Sequence, residues 1–359
     1  MNMVAKDKLI IVVLAVAIAV VAAGVLLSTQ GGGNGGGHGD DPTPEPEPVP
    51  VYPDGISFDP ETGVLSSEDS VQWLVTDELL PYIERSATLY EGKTVELDTG
   101  YYSVKVGSDE FTVIVPGKTS KTLKWDFHMD GEVYESQVTY EVDIGELAEI
   151  TSENREWNRV SHKFTDLPQI VYVNDTVRSI ESQLSTRYAE IGSLDDRQGY
   201  ADFIVSFAQK CIQYPQRGGP NNAPDYNYWG LDEYWGNTLE TLYYAVGDCE
   251  DSSAVACALF MAAGYKAAMV GVPGHVTAGV HLDSFTERDL DEVKKYNSIT
   301  SSLTVAMGTS VADPSDETVY YGVDTIKGQV PVGYMLKGSV ESFGKPTLLW
   351  GTSGFYPVA

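Results

Sequence analysis

The sequence predicts an α+β protein in which a helix bearing a cysteine packs on an antiparallel sheet. Three observations predict this class. Small apolar residues recur at helical spacing between Ser252 and Ala263, which indicates a buried helix. Two β-rich segments on either side of Pro273-Gly274 are typical of a pair of strands joined by a turn. Upstream, a series of short alternating segments predicts a separate, small β-rich domain.

The N-terminal residues predict a membrane anchor. The run from Leu9 to Leu27 has no charged residue and is long enough to cross a bilayer, so we assign residues 9–28 to a transmembrane helix. Lysines precede the run, so the positive-inside rule places residues 1–8 in the cytoplasm and the rest of the chain outside. A cleaved signal peptide is the alternative. Residues 29–52 are rich in Gly and Pro and form the predicted linker.

Residues 53–165 form the predicted β-rich accessory domain, a small sandwich or barrel-like module that ends in a short helix from Ile144 to Arg155. No set of residues in it suggests catalysis. The segments that favour strands are Lys93–Leu97, Tyr101–Val106, Glu110–Val115, Lys121–Trp125 and Val138–Val142.

The catalytic domain is predicted to span residues 166–359 and to begin with two helices. One starts with a cap at Asp175 and the other runs from Gly199 to Cys211. A loop rich in Pro, Asn and aromatic residues follows. Its aromatic side chains either pack at the edge of the fold or line a substrate cleft, and the candidates for the cleft are Trp229, Tyr234 and Trp235.

Cys249 is the candidate nucleophile. Asp248 is a suitable N-cap, which places Cys249 in the first turn of the buried helix, where backbone N–H groups and the helix dipole stabilise a thiolate. Cys257 lies in the middle of the same helix without that advantage and is typical of a core residue. A small buried hydrophobe at a helix start is the alternative interpretation of Cys249.

His275 and Asp324 are the candidate base and the residue that orients it. His275 opens the strand after the Pro-Gly turn, and Asp324 lies near the end of another β-rich run, Thr318–Thr325. His281 shares the strand parity of His275 but lies roughly 20 Å further along the strand, and Asp283 lies further still. A Cys, a His and an Asp on a helix and two strands form a papain-type triad. A polar insertion, residues 283–317, separates His275 from Asp324 and is predicted to be a surface loop or a lid.

These motifs resemble those of the transglutaminase-like superfamily of papain-fold cysteine enzymes, and most of all its membrane-anchored archaeal members. The resemblance rests on Gly-Asp-Cys-Glu-Asp at 247–251 with the Ala-rich helix, Pro-Gly-His at 273–275, and Tyr-Tyr-Gly-Val-Asp-Thr at 320–325. It covers residues from about Leu167 onward and implies the triad Cys249, His275 and Asp324. The insertion before Asp324 is longer than is usual in the family.

The resemblance and the triad together predict acyl transfer on a peptide or isopeptide amide. Water as the acyl acceptor would make the protein a peptidase or amidase, and an amine would make it a transglutaminase; the residues do not distinguish the two. The backbone N–H of Cys249 is one oxyanion donor, and Trp235 is a candidate for the second because some transglutaminases use an indole N–H. The alternative function is a non-catalytic surface module that binds peptide or glycan.

Composition limits the partners. The chain has 52 Asp and Glu against 23 Lys and Arg, a net charge of −29, which disfavours nucleic acid as a partner. We expect a peptide or protein substrate at the cell surface and a lipid bilayer around residues 9–28. No cofactor and no metal are expected, because no Cys and His cluster has zinc-ligand spacing. Three cysteines do not make a disulfide scaffold, although Cys211 could pair with Cys257.

Overall fold

The centre of the fold is the helix that begins at Cys249, and the architecture around it is α+β with antiparallel sheets. The structure is a computed structural model and describes residues 52–272, 274–297, 302–325, 328–336 and 354–358. The predicted N-terminal segment, the anchor at 9–28 and nearly all of the linker lie outside these residues. Among the residues described, no helix has both the length and the apolar character needed to cross a membrane.

Strands and helices follow one another in blocks along the chain. The strands are β1 (Ile56–Asp59), β2 (Val64–Asp77), β3 (Thr88–Glu96), β4 (Gly100–Val106), β5 (Asp109–Val115), β6 (Lys118–Met129), β7 (Glu132–Asp143), β8 (Ala267–Val272), β9 (His275–His281), β10 (Leu303–Val305), β11 (Met307–Gly308), β12 (Tyr320–Val323), β13 (Tyr334–Leu336) and β14 (Gly354–Pro357). The helices are α1 (Ile144–Trp157), α2 (Asp175–Ile191), α3 (Arg197–Cys211), α4 (Tyr226–Trp229), α5 (Thr238–Tyr244), α6 (Cys249–Ala262) and α7 (Leu290–Asn297).

The cysteine-bearing helix packs on an antiparallel sheet, as the sequence predicts. The sheet has the strand order β11-β12-β9-β8-β14, and α6 lies against β8 and β9. Helices α2, α3 and α5 cover the other sides of α6. Every residue of α6 from Glu250 to Phe260 is therefore buried. The helix ends at Ala262, and Gly264 just beyond it has a φ of 77°, which suits glycine.

The upstream strands form an open antiparallel sheet with a small core of its own. The strand order is β1-β2-β4-β5, and β3 pairs with β2. Leu65, Trp73 and Val104 are fully buried in its core. The sequence analysis missed β1 and β2, because their apolar residues alternate with a mixed series of acidic and hydroxyl side chains that resembles a loop.

The long hairpin β6–β7 packs on the helices rather than on that upstream sheet, so the two do not form the predicted sandwich. Trp125 on β6 contacts the rings of Phe203 and Phe207 on α3, with centroids 5.6 and 5.5 Å apart, and its indole N–H donates to Ser206 at 3.0 Å. The main core is thus continuous across the predicted boundary at residue 165. The division into an accessory and a catalytic domain stays a prediction.

Two local expectations need correction. The N-cap of α2 is Asn174 and not Asp175, because the Asn174 side chain accepts the N–H of Val177 at 3.1 Å. The insertion between residues 283 and 317 is not all surface loop. It contains α7, β10 and β11, and β11 extends the edge of the central sheet by pairing with β12.

Candidate active site

Cys249 is the first residue of α6, and the residue is partly exposed. Asp251 fixes this helix start, since its Oδ2 accepts the N–H of Asp248 at 3.3 Å and its Oδ1 accepts the N–H of Gly236 at 2.7 Å. The thiol of Cys249 donates to Glu250 Oε2 at 3.1 Å. The backbone N–H of Cys249 is in the first turn, where N–H groups have no partner within the helix and are available to an oxyanion.

His275 opens β9 directly after a turn at Gly274, whose φ of 76° favours glycine. The imidazole is largely buried, and its Nε2 lies 3.5 Å from Oδ2 of Asp324. Burial alone would lower the pKa of His275. The neighbouring groups of Asp324 and Cys249 outweigh burial and raise this pKa to about 10. The ring therefore carries a proton at neutral pH.

Asp324 is fully buried at the end of β12, one residue beyond the pairing of Val323 with Ala278 on β9. This register explains how it reaches a histidine three residues upstream of Ala278 on the neighbouring strand. Gln209 on α3 holds the segment in place, since its Nε2 donates to the carbonyls of Asp324 and Val330 at 2.7 and 2.8 Å. The sequence does not reveal this role of Gln209, because an amide in the last turn of a buried helix carries no distinctive pattern.

Hydroxyl groups join the triad's helix to the strand that carries Asp324. Thr325 Oγ1 lies 3.1 Å from Ser252 Oγ and 2.9 Å from Ser253 Oγ, in the first turn of α6. Both serines also donate to helix carbonyls, Ser252 to Asp248 at 2.7 Å and Ser253 to Cys249 at 2.6 Å. Thr325, which follows Asp324 in the sequence motif, thus forms hydrogen bonds with α6 close to Cys249.

The three aromatic candidates for the cleft differ in exposure. Tyr234 has no exposed surface; its ring stacks on Trp229 at 4.1 Å and its hydroxyl donates to Glu240 at 2.8 Å. Trp235 is 7% exposed, and its indole N–H donates to Glu233 at 3.1 Å. Trp229 is partly exposed. Tyr234 therefore packs inside the protein, and Trp235 would have to leave Glu233 before it could stabilise an oxyanion.

The rival residues lie away from this site. His281 Nδ1 bonds with the carbonyl of Val319 at 2.8 Å, and its Nε2 lies 3.5 Å from the exposed Asp283. Cys257 is fully buried and donates to the carbonyl of Ala268 at 3.3 Å. All three cysteines are free thiols in the structure. The structure places His275 beside Asp324, whereas His281 and Cys257 have other partners.

A cavity of about 190 Å³ lies next to the segment that leads into Cys249. Val246 and Gln213 form part of its wall, and the backbone N–H of Gly247 donates to the carbonyl of Gln213 at 3.0 Å. Tyr214 and Tyr228 add aromatic surface to it. Its lining ends at Val246, three residues before Cys249.

The comparisons with known proteins assign no relative. No family model, no curated protein and no solved structure matches the chain.

Proposed function

We propose that the protein catalyses cysteine-dependent acyl transfer on peptide or isopeptide amides. Cys249 is the nucleophile, His275 is the general base and acid, and Asp324 orients the imidazole. The observation that carries the proposal is the 3.5 Å approach of His275 Nε2 to Oδ2 of Asp324, and the proximity of Cys249 also raises the pKa of the same ring. Thiol, imidazole and carboxylate in this order define a nucleophile, a base and an orienting group.

The reaction follows from which atom of the ring faces each partner. Asp324 lies on the Nε2 side, so Nδ1 is the nitrogen that exchanges a proton with the thiol. Because the raised pKa of His275 keeps the ring protonated at neutral pH, this proton passes from sulfur to imidazole before the substrate reacts. The thiolate sulfur then attacks the amide carbonyl, and the backbone N–H of Cys249 stabilises the oxyanion. When the C–N bond breaks, the imidazolium returns the proton to the amine and a thioester remains on Cys249. Water or an amine then attacks the thioester and restores the thiol.

The papain-like or transglutaminase-like fold and the location are parts of the same proposal. The cysteine helix on an antiparallel sheet supports the fold assignment, and the uncharged run at residues 9–28 supports a single-pass anchor with the catalytic part outside the cell. The substrate would then be a peptide or protein at the cell surface. Protease added to intact cells should release a fragment that begins within residues 29–52, whereas a protected fragment would contradict this location.

A thiol-reactive probe tests the catalytic proposal. Wild-type protein should label at Cys249, and His275→Ala should slow this labelling because the base is lost. Cys249→Ala is the control for labelling elsewhere. Labelling of Cys249 at the rate of a model thiol, with no effect of His275→Ala, would favour the non-catalytic binding module. Supplying an amine to the active enzyme then separates transamidation, which incorporates it, from hydrolysis.

A further inference from the structure

A group of three buried carboxylates lies behind the catalytic cysteine. Asp225 precedes α4, Asp248 caps α6, and Asp251 is in the first turn of α6. One oxygen from each lies within 4.8 Å of the others, and each residue is at most 5% exposed. The sequence analysis assigned no metal ligand here, because Asp248 and Asp251 are typical of a helix cap and Asp225 is distant along the chain.

Two oxygens in this group have no hydrogen-bond donor among the residues the structure describes. They are Oδ1 of Asp225 and Oδ1 of Asp248, and Oε1 of the neighbouring Glu250 is a third of the same kind. An unpartnered buried carboxylate oxygen is costly, because nothing replaces the water it has lost. Each of these oxygens therefore needs either a proton or a bound cation.

The protein itself provides little positive charge near these carboxylates. Within the described ranges, the ion pairs of Lys and Arg involve other acids. His275 is the cation that acts on Asp248, while the carboxylate of Glu233 adds further negative charge near both Asp225 and Asp248. Buried charges that lack a paired side chain are commonly neutralised by a metal ion or by protons.

Backbone N–H groups hold the carboxylates in position. Tyr234 donates its N–H to Oδ2 of Asp225 at 2.9 Å, and this leaves Oδ1 free to point elsewhere. The N–H of Gly236 donates to Asp251 at 2.7 Å. Such bonds orient a ligand without consuming all of its lone pairs, and they are typical of the surroundings of a metal ligand.

We propose that Asp225, Asp248 and Asp251 bind a calcium ion. The donor atoms are hard carboxylate oxygens, which calcium and magnesium prefer over softer metals. Calcium takes such oxygens at about 2.3–2.6 Å in irregular geometry, so ligand atoms on opposite sides of the ion lie no more than about 5 Å apart, which agrees with the observed separations. Magnesium demands a regular octahedron and usually keeps several waters, which a buried group disfavours.

The ion would connect three parts of the chain that surround the active site. It would hold the residue before α4, the cap of α6 and, through Asp251, the backbone at Gly236. The site is independent of the proposed reaction, because none of its three ligands belongs to the triad. Calcium binding should therefore stabilise the fold whether or not the protein is an enzyme.

Binding is measured on the full chain with Ca²⁺ and with Tb³⁺ as a luminescent calcium analogue. Ca²⁺ should raise the thermal midpoint by several degrees relative to EDTA, and Tb³⁺ should show sensitised emission that Ca²⁺ displaces. Asp225→Asn keeps the acceptor for the Tyr234 N–H and removes one ligand charge, so the calcium affinity should fall at least about tenfold. Asp54→Asn, at an exposed position, is the matched control and should bind as the wild type does.

Equal midpoints in EDTA and in millimolar Ca²⁺, without Tb³⁺ emission, would overturn the proposal and show that protons neutralise the group. Tb³⁺ emission that Asp225→Asn retains in full would also overturn it, because the ion would then lie elsewhere. If Asp225→Asn does not fold, the comparison of wild-type midpoints in EDTA and calcium decides the question alone.

Discussion

Thr325 and Ser253 share a hydrogen bond of 2.9 Å that joins the strand carrying the triad aspartate to the helix carrying the triad cysteine. The two side chains are fully or almost fully buried. Hydroxyl groups therefore help to set the separation of this segment from α6 at the candidate active site.

Thr325→Val should lower kcat/KM about tenfold or more, because a small displacement of catalytic groups is costly. Stability should fall by only about 1 kcal/mol, since Ser252 and Ser253 keep their bonds to helix carbonyls. Urea unfolding and kinetics on the same preparation measure both effects. Thr325→Ser keeps the hydroxyl and should restore activity; wild-type kinetics for Thr325→Val would show that this contact does not position the triad.

The pH profile of activity should depend on Asp324. The pKa of His275 is raised to about 10 by its bonds to Asp324 and Cys249 against the effect of burial, so the imidazolium needed by the leaving amine is lost only near that pH. Asp324→Asn should move the alkaline limb of kcat/KM to lower pH and reduce its maximum about 10²- to 10⁴-fold. Asp283→Asn, beside His281, is the matched control and should leave the limb unchanged.

The free energy of unfolding should also depend on pH because the pKa of His275 is raised. The unfolded histidine loses its proton near pH 6.5, whereas the folded one keeps it until about pH 10. The stabilisation is thus complete below about pH 6.5 and is lost as the pH rises to about 10. In urea unfolding between about pH 6.5 and 10, the free energy of unfolding of His275→Gln should change less with pH than that of the wild type. Parallel curves for the two proteins would mean that the folded pKa is not raised.

The three thiols should differ sharply in reactivity. Burial raises the pKa of Cys211 and of Cys257 to about 12, while Cys249 is partly exposed. A colorimetric thiol reagent should therefore detect one thiol in the folded protein and three after denaturation. A Cys211–Cys257 peptide in a non-reducing map would contradict this count.

The sequence predicts the centre of this fold better than its periphery. The cysteine helix, the two strands after it and the order of the triad follow from local patterns, namely helical spacing, a Pro-Gly turn and recognised motifs. Local patterns do not reveal the roles of Gln209, Thr325 and Asp225. Their roles depend on which elements pack together, and no local spacing encodes that Gln209 on α3 meets the carbonyl of Asp324.

The predicted boundary at residue 165 can be tested by truncation. A fragment of residues 166–359 lacks the hairpin whose Trp125 and Phe127 cover Phe203 on α3, with ring centroids 5.6 and 5.0 Å apart. Loss of this burial should abolish cooperative unfolding, because each ring contributes about 1.5–3 kcal/mol. A fragment of residues 51–359 retains the hairpin and should unfold cooperatively. Cooperative unfolding of the shorter fragment would establish residue 165 as a true domain boundary.

The hairpin β6–β7 also imposes an order of events during translation. Trp125 leaves the ribosome roughly 80 residues before Phe207, its partner on α3, which is about 4 to 16 seconds at ordinary rates of synthesis. Throughout that interval the face of β6 that carries Trp125 lacks α3, which covers it in the folded protein. Its outer face carries exposed charges at Lys118, Lys124 and Asp126, which discourage pairing with another nascent chain. The alternation of apolar and charged residues in β6 therefore protects the incomplete chain from pairing with other nascent chains.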